Sequence, residues 1–445
     1  MMNCINHFGK AFSVCLTLIF FNPNTVFSQT QEEIVGNVRV QVLSPTLVRL
    51  EQKGPNGLFE DRKTFHITER ANWPGAYVIR DSIAGYVLIK TPDFTVRVPS
   101  NAHSLDEIVI TEPDGTELWT MPTDAAFFSN NRMWIPHPNS QTNVWAFADT
   151  PRYVPAAWGY NLAPVGSPDN DVNGWDLNNH APDVYVFLPG GDGRKLRSEY
   201  LQLTGRTELI PLYALGGWDS RYYAYTQQEA LDKIDTYRTK NIPLDGFVVD
   251  TDWRIGASIG YNVNTGLFPD MEGFLSSAHN RHVKIMFNDH PEPQADALDP
   301  VEVDYRNTGL RGKFDIGLDV WWYDRNWYTS IGPPDGINKE VFGMYIYHWI
   351  TQDYFPDRRP FIMANVDGID NGNLNSAPNI AAHRYSMQWT GDTYYYFNSL
   401  ENEVRNAVFS GVFAPFAYVS ADLGGHTGTP TTEQYIHWVQ FEALS

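Results

Sequence analysis

Cysteine is nearly absent. The 445 residues contain two, Cys4 and Cys15, both at the very start of the chain. Beyond them no disulfide framework, thiol nucleophile or cysteine-zinc site can be built. Positive charge is also scarce: 32 Lys and Arg face 52 Asp and Glu, giving a net charge of −20 with no run of basic residues. Phosphate backbones and anionic lipid surfaces attract clustered Lys and Arg, so nucleic acid and lipid headgroups are poor partners for this chain. Long apolar runs are missing too. The mainly apolar run Ala11 to Phe21 is too short to span a bilayer comfortably, and no later stretch reaches membrane-spanning length. Gly (34) and Pro (29) are at ordinary levels and no internal repeat occurs, which rules out collagen-like or low-complexity architecture. What the chain does have is aromatic side chains, 14% of the total, suited to lining sugar clefts and equally to filling a core.

The first residues look like an address. A single Lys10 precedes the apolar run, and Val26-Phe27-Ser28 places modest side chains where a signal peptidase would read them. Residues 1–28 are therefore expected to be a signal peptide cleaved near Ser28, and the protein to be exported to the periplasm or beyond. Phe12-Ser13-Val14 before Cys15 lacks the small-residue pattern of a lipid-anchor site.

A chain of this length divides naturally into two domains. From Glu33 to Leu203 the pattern is short and alternating, as in Asn37 to Val42, Val48 to Leu50 and Thr95 to Val98. Gly, Pro, Asn and Asp punctuate the runs, which predicts an antiparallel β-sandwich over 29–205. After Leu203 apolar runs alternate with amphipathic helices. Strands are expected at Ile210 to Leu215, Gly246 to Asp250, Val283 to Asn288, Val320 to Asp324, Phe361 to Asn365, Met387 to Thr390 and Ala417 to Ser420. Helices are expected at Thr226 to Lys240, opened by a Thr226/Glu229 capping box, and at Thr432 to Leu444. Strand–helix alternation implies a parallel sheet, here a (β/α)8-type TIM barrel over 206–445 lacking its last strand and helix.

Catalytic groups in such barrels sit where strands run out into loops. Asp250, Asp324 and Asp392 each occupy that place, after Phe247-Val248-Val249, Trp321-Trp322-Tyr323 and Trp389-Thr390-Gly391. Two carboxylates suffice to break a glycosidic bond, one attacking or stabilising the anomeric carbon and one protonating the leaving oxygen. An Asp at this place also commonly caps the next helix, and for any one of the three the two readings weigh about equally.

Several segments together resemble glycoside hydrolase family 31. They are Pro211 to Gly216 with Trp218-Asp219-Ser220-Arg221, Ile242 to Asp245 leading to Asp250-Thr251-Asp252, and Trp322-Tyr323-Asp324-Arg325-Asn326. Arg384-Tyr385 with Trp389-Thr390-Gly391-Asp392, and Asp422-Leu423-Gly424-Gly425 with Glu433 and Trp438-Val439-Gln440, continue the series in order. The resemblance implies a retaining exo-α-glycosidase that needs no cofactor and no metal, acting on a carbohydrate substrate. It implies Asp324 as nucleophile and Asp392 as acid/base. Asp250, Trp322, Trp389, Asn365, Trp218 and Asp422 then become substrate-binding positions. Family α-glucosidases carry Arg-Ser where Ala364-Asn365-Val366 stands here, and Asp-Met-Asn-Glu where Asp324-Arg325-Asn326-Trp327 stands. Glucose, galactose and N-acetylated sugars thus all remain open.

Two rival readings accompany this one. A non-catalytic glycan-binding protein on a truncated barrel would use the same mouth, and a metal-dependent hydrolase would use Asp250, Asp252 and His290. Asp169 to Gly174 begins like a calcium loop but has His180 at the twelfth position, so a solvated turn is the better reading. The sequence sets no oligomeric state.

Overall fold

The computed structural model describes residues 31–443 apart from 56, 62, 130, 150–180, 182, 257–259, 298, 325–330, 333–336 and 386. The expected signal segment and the calcium-like loop lie outside the described residues. Among those described, no helix is long and apolar enough to cross a membrane.

The N-terminal strands are β1 Gln31–Val35, β2 Val38–Ser44, β3 Leu47–Gln52, β4 Ile79–Ile83, β5 Tyr86–Lys90, β6 Thr95–Pro99, β7 Val109–Thr111, β8 Glu117–Thr120, β9 Trp145–Asp149 and β10 Asp183–Phe187. They form two five-stranded antiparallel sheets, β1-β2-β3-β10-β9 and β4-β5-β6-β7-β8. The period-two pattern explains how the sheets meet. Val38, Val40, Val42 and Leu50 of the first share one apolar core with Val87, Ile89, Val96 and Val98 of the second, the arrangement of a sandwich. At the β1–β2 turn Gly36 has φ +60°, and a Cβ there would lie 2.3 Å from the Ala102 carbonyl oxygen, so only glycine fits.

A short helix α1 (Ala125–Ser129) precedes β9, and α2 (Gly193–Thr204) follows β10. Asp192 caps α2 by accepting hydrogen bonds from the backbone N–H groups of Arg194 and Lys195 at 3.1 Å each. Leu196, Tyr200 and Leu203 of α2 bury themselves against Phe147, Tyr185 and, from the C-terminal half, Ile380.

The C-terminal half alternates β11 Trp218–Asp219, α3 Gln227–Thr239, β12 Gly246–Val249, α4 Met271–His279, β13 Lys284–Asp289, α5 Pro300–Asp315, β14 Val320–Tyr323, α6 Lys339–Tyr354 and β15 Ile362–Asn365. A small hairpin, β16 Ile369–Asp370 with β17 Asn373–Leu374, leads to β18 Met387–Trp389, α7 Phe397–Phe413, β19 Val419–Ser420 and α8 Thr432–Glu442. Seven strands pair in parallel in the order β11-β12-β13-β14-β15-β18-β19. The Thr226/Glu229 capping box forms as expected, and α8 opens with a second, Thr431/Gln434.

One expected strand is displaced. Ile210 to Leu215 is not β11: Leu212–Leu215 forms a 3-10 turn after Pro211, and the strand begins at Trp218. Leu212 and Leu215 are exposed, so this apolar run is not a buried strand. The close approach of the Asp245 carboxylate to Gly216, 2.1 Å from where a Cβ would stand, sets the turn before β11.

Both faces of the sheet are covered. Phe247, Val249, Ile285, Phe287, Trp321, Tyr323 and Ile362 point outward into the helix layer. Val248, Met286, Val320, Trp322 and Trp389 point inward into one compact cluster. Trp322 and Trp389 come from strands separated by β15, yet their rings lie 4.6 Å apart. In a flat sheet such strands are about 9.6 Å apart, so the sheet curls around this interior.

Candidate active site

The register stacks the inward residues in layers. Val248 is level with Met286, Asn288 with Trp322, Trp322 with Met363, and Asn365 with Trp389. Side chains alternate along a strand, so two residues further on the same face come Asp250, His290 and Asp324, at the carboxyl ends of β12, β13 and β14. Asp392 and Asp422 come after β18 and β19 on the same rim.

Asp324 is held from two sides. Its backbone N–H donates to the Asp289 carbonyl at 3.0 Å. Asn288 Nδ2 donates to its Oδ2 at 2.9 Å, and His290 Nε2 lies 3.0 Å from the same oxygen. Burial opposes protonation of His290, but the hydrogen bond and charge of Asp324, joined by the charge of Asp250, outweigh it and raise the imidazole pKa. Asn288 Oδ1, His290 Nδ1 and Trp322 Nε1 are buried with no hydrogen-bond partner among the described residues. Unsatisfied buried polar atoms gathered at one mouth mark a site rather than a core.

Asp250 also serves as a cap. Its Oδ1 accepts a hydrogen bond from Thr251 N at 2.7 Å at the start of a 3-10 turn, Thr251–Trp253. Burial pushes its pKa up to about 6; the Thr251 bond opposes this and the charge of Asp324 adds to it. Asp392 is the most open of the set, its side chain 52% exposed, with His426 Nδ1 3.6 Å from its Oδ1. Partial burial raises the Asp392 pKa, His426 pulls it down, and Asp324 pushes it up again. Asp422 accepts Trp389 Nε1 at 2.8 Å on Oδ1 and the Thr393 N–H at 3.4 Å on Oδ2. Burial drives its pKa to about 8 against the Trp389 bond, helped by the charge of Asp392.

Trp322 and Trp389 meet edge to face at the floor of this mouth, and Asn365 is buried level with Trp389. Trp218 is not brought there. It pairs with Gly246, four residues and about 13 Å before Asp250, and packs beside Tyr213 and Phe361 at the opposite end of the sheet. Asn288 and the His290–Asp324 pairing are not evident from the sequence, where His290 reads only as a possible metal ligand. Strand periodicity separates them: Asp289 points outward, where Arg254, Tyr261 and Tyr347 bind its carboxylate, while Asn288 and His290 point in. Among the described residues Asp250, Asp252 and His290 do not gather as a metal site. Asp392, Asp422 and His426 do, with ligand atoms within 4.8 Å of one another, and could hold a cation.

Residues 207–308 and 294–445 match the model of the glycosyl hydrolases family 31 TIM-barrel domain, more than half of the chain. The chain belongs to glycosyl hydrolase family 31. Among characterised relatives, an alpha-xylosidase of Emericella nidulans is 23% identical over 305 residues, 59% of this chain and 38% of that protein. Alpha-glucosidase 2 of Bacillus thermoamyloliquefaciens is 24% identical over 327 residues, covering 60% and 39% respectively. The family 31 chain thus aligns with under half the length of these relatives. In three dimensions it is similar to a Flavobacterium johnsoniae GH31 dextranase complexed with glucose. There the TM-score is 0.60 at 14% identity, covering 94% of this chain and 64% of the other. A GH31 alpha-xylosidase from a soil metagenome gives a TM-score of 0.54 at 13% identity, covering 94% and 75%. At such identity the likeness speaks for the fold alone.

Proposed function

We propose that this family 31 chain is the catalytic part of an exported, retaining exo-α-glycosidase that removes a terminal α-linked sugar, its parallel strands being seven of a (β/α)8 barrel. The observation that carries the reading is the convergence of Asp250, Asp324 and Asp392 on one mouth, with Asp324 gripped by Asn288 and His290. Oδ2 of Asp324 takes both contacts, which leaves Oδ1 to attack the anomeric carbon. Asp392, open to solvent and raised in pKa, is placed to protonate the leaving oxygen and then to accept a proton from water. Asp250 in its ionised form accepts sugar hydroxyls. The Trp322 and Trp389 pair supplies the apolar floor. Export rests on the apolar leader.

The test is turnover of a panel of nitrophenyl α-glycosides spanning glucose, xylose, galactose and N-acetylated sugars. One member is expected to be hydrolysed with retention. The Asp324→Ala variant should lose at least about a thousandfold in kcat/KM, with partial rescue by azide. Parent-like turnover by Asp324→Ala, or sugar binding without hydrolysis of any α-glycoside, would overturn the reading.

A further inference from the structure

The loop after β19 is tied to the loop after β18. His426 N and Thr427 N both donate to the Thr393 carbonyl, at 2.9 and 3.3 Å, and Tyr394 and Thr427 form an isolated parallel bridge. Gly425 bends back with φ +83° and its N–H bonds to the Asp422 carbonyl at 2.8 Å. A Cβ at Gly425 would lie 2.3 Å from Tyr395 N, so the two loops can approach this closely only around glycine. This closure sets the His426 ring beside Asp392, with Tyr222 stacked on the imidazole at 6.5 Å between centroids.

We propose that His426 is a positioning residue for proton transfer, holding the Asp392 carboxyl and stabilising the carboxylate that forms as Asp392 gives its proton to the leaving oxygen. The inference rests on Asp392 being the acid. In that step the Asp392 O–H bond breaks, a new O–H bond forms on the departing group, and the negative charge left behind lies beside His426 Nδ1. The 3.6 Å contact can shorten to a hydrogen bond as that charge develops. The device is electrostatic as well as geometric. Asp422 flanks the same imidazole, while Asp324, Asp370 and His290 from neighbouring elements also act on Asp392, and His426 in turn acts on Asp250. Among the other groups acting on Asp392, His290 is already engaged with Asp324, which leaves His426 as its imidazole neighbour across the loop closure.

Two measurements test it. The first is kcat/KM for aryl and alkyl α-glycosides of graded leaving-group ability, compared among parent, His426→Ala and His426→Asn. The last keeps an N–H near the Nδ1 position. The Ala variant should lose about tenfold to a hundredfold with the poorest leaving groups and under about twofold with dinitrophenyl glycosides. Its basic pH limb should move up, and Asn should restore part of the loss. A loss that is equal across all leaving groups, or no loss, overturns the proposal. The second needs no turnover: 15N-histidine spectra of the full chain, with the His426 signal found by its absence in His426→Ala. Asp392→Asn should shift the His426 Nδ1 resonance, and an unmoved resonance overturns the pairing. Failure of Asp324→Ala to lose activity would instead sink the proposed function, leaving the spectroscopic result to decide the contact itself.

Discussion

Glu403 is a carboxylate that the fold pays to bury. It sits on α7 with 1% of its surface exposed, and Asn406 Nδ2 lies 3.4 Å from its Oε2. Burial pushes its pKa from an ordinary 4.5 to about 7, against the hydrogen bond from Asn406. A folded-state value above the unfolded one means the linked stability is complete below the unfolded pKa and is lost as pH rises through about 7. At about 1.4 kcal/mol per unit, ionising Glu403 withdraws about 3 kcal/mol by pH ~8, of which only about 1.4 is already lost at pH ~5.5. Glu403→Gln removes the ionisation while keeping shape and a carbonyl for Asn406. The assay is the thermal midpoint of parent and variant between pH ~5 and ~8.5. The variant should gain stability relative to the parent by about 2 kcal/mol across that range, a few degrees in midpoint for a chain of this size. Parallel curves for the two proteins would refute the assignment of a buried, proton-linked Glu403.

Two further outcomes are expected. Asp250, raised to about 6, must ionise to accept sugar hydroxyls, so KM should climb as pH falls through about 6; Asp250→Asn should flatten that dependence, which pH-resolved kinetics on the best panel substrate will show. Trp321→Ala, emptying a fully buried outward position whose Nε1 donates to the Leu310 carbonyl at 3.3 Å, should cost about 3 to 5 kcal/mol, read as loss of soluble protein or a large fall in thermal midpoint.

Much of this molecule was legible without coordinates, because local patterns carry it. Alternation of Val38, Val40 and Val42 is enough to make a strand, and Thr226 with Glu229 is enough to start a helix. The run Val320 to Tyr323 followed by Asp324 places a carboxylate at a strand end whatever surrounds it. What stayed hidden depends on which strand lies beside which. Leu212 and Leu215 read as strand residues by composition, yet they are exposed on a turn because Pro211, Gly216 and the Asp245 carboxylate govern the backbone there. Trp218 belongs to a family-like motif, but its register with Gly246 sends it to the far end of the sheet. His290 and Asp324 are distant in sequence, and only the β13–β14 register sets them 3.0 Å apart. His426 reaches Asp392 only through the closure of two loops around Gly425. The sequence by itself therefore determined most of the strands, the capped helix starts and the carboxylates at strand ends, since periodicity and capping are local. The tertiary structure alone decided which side chains face each carboxylate and so how its proton is held, since register, curl and loop closure join residues that no local pattern connects.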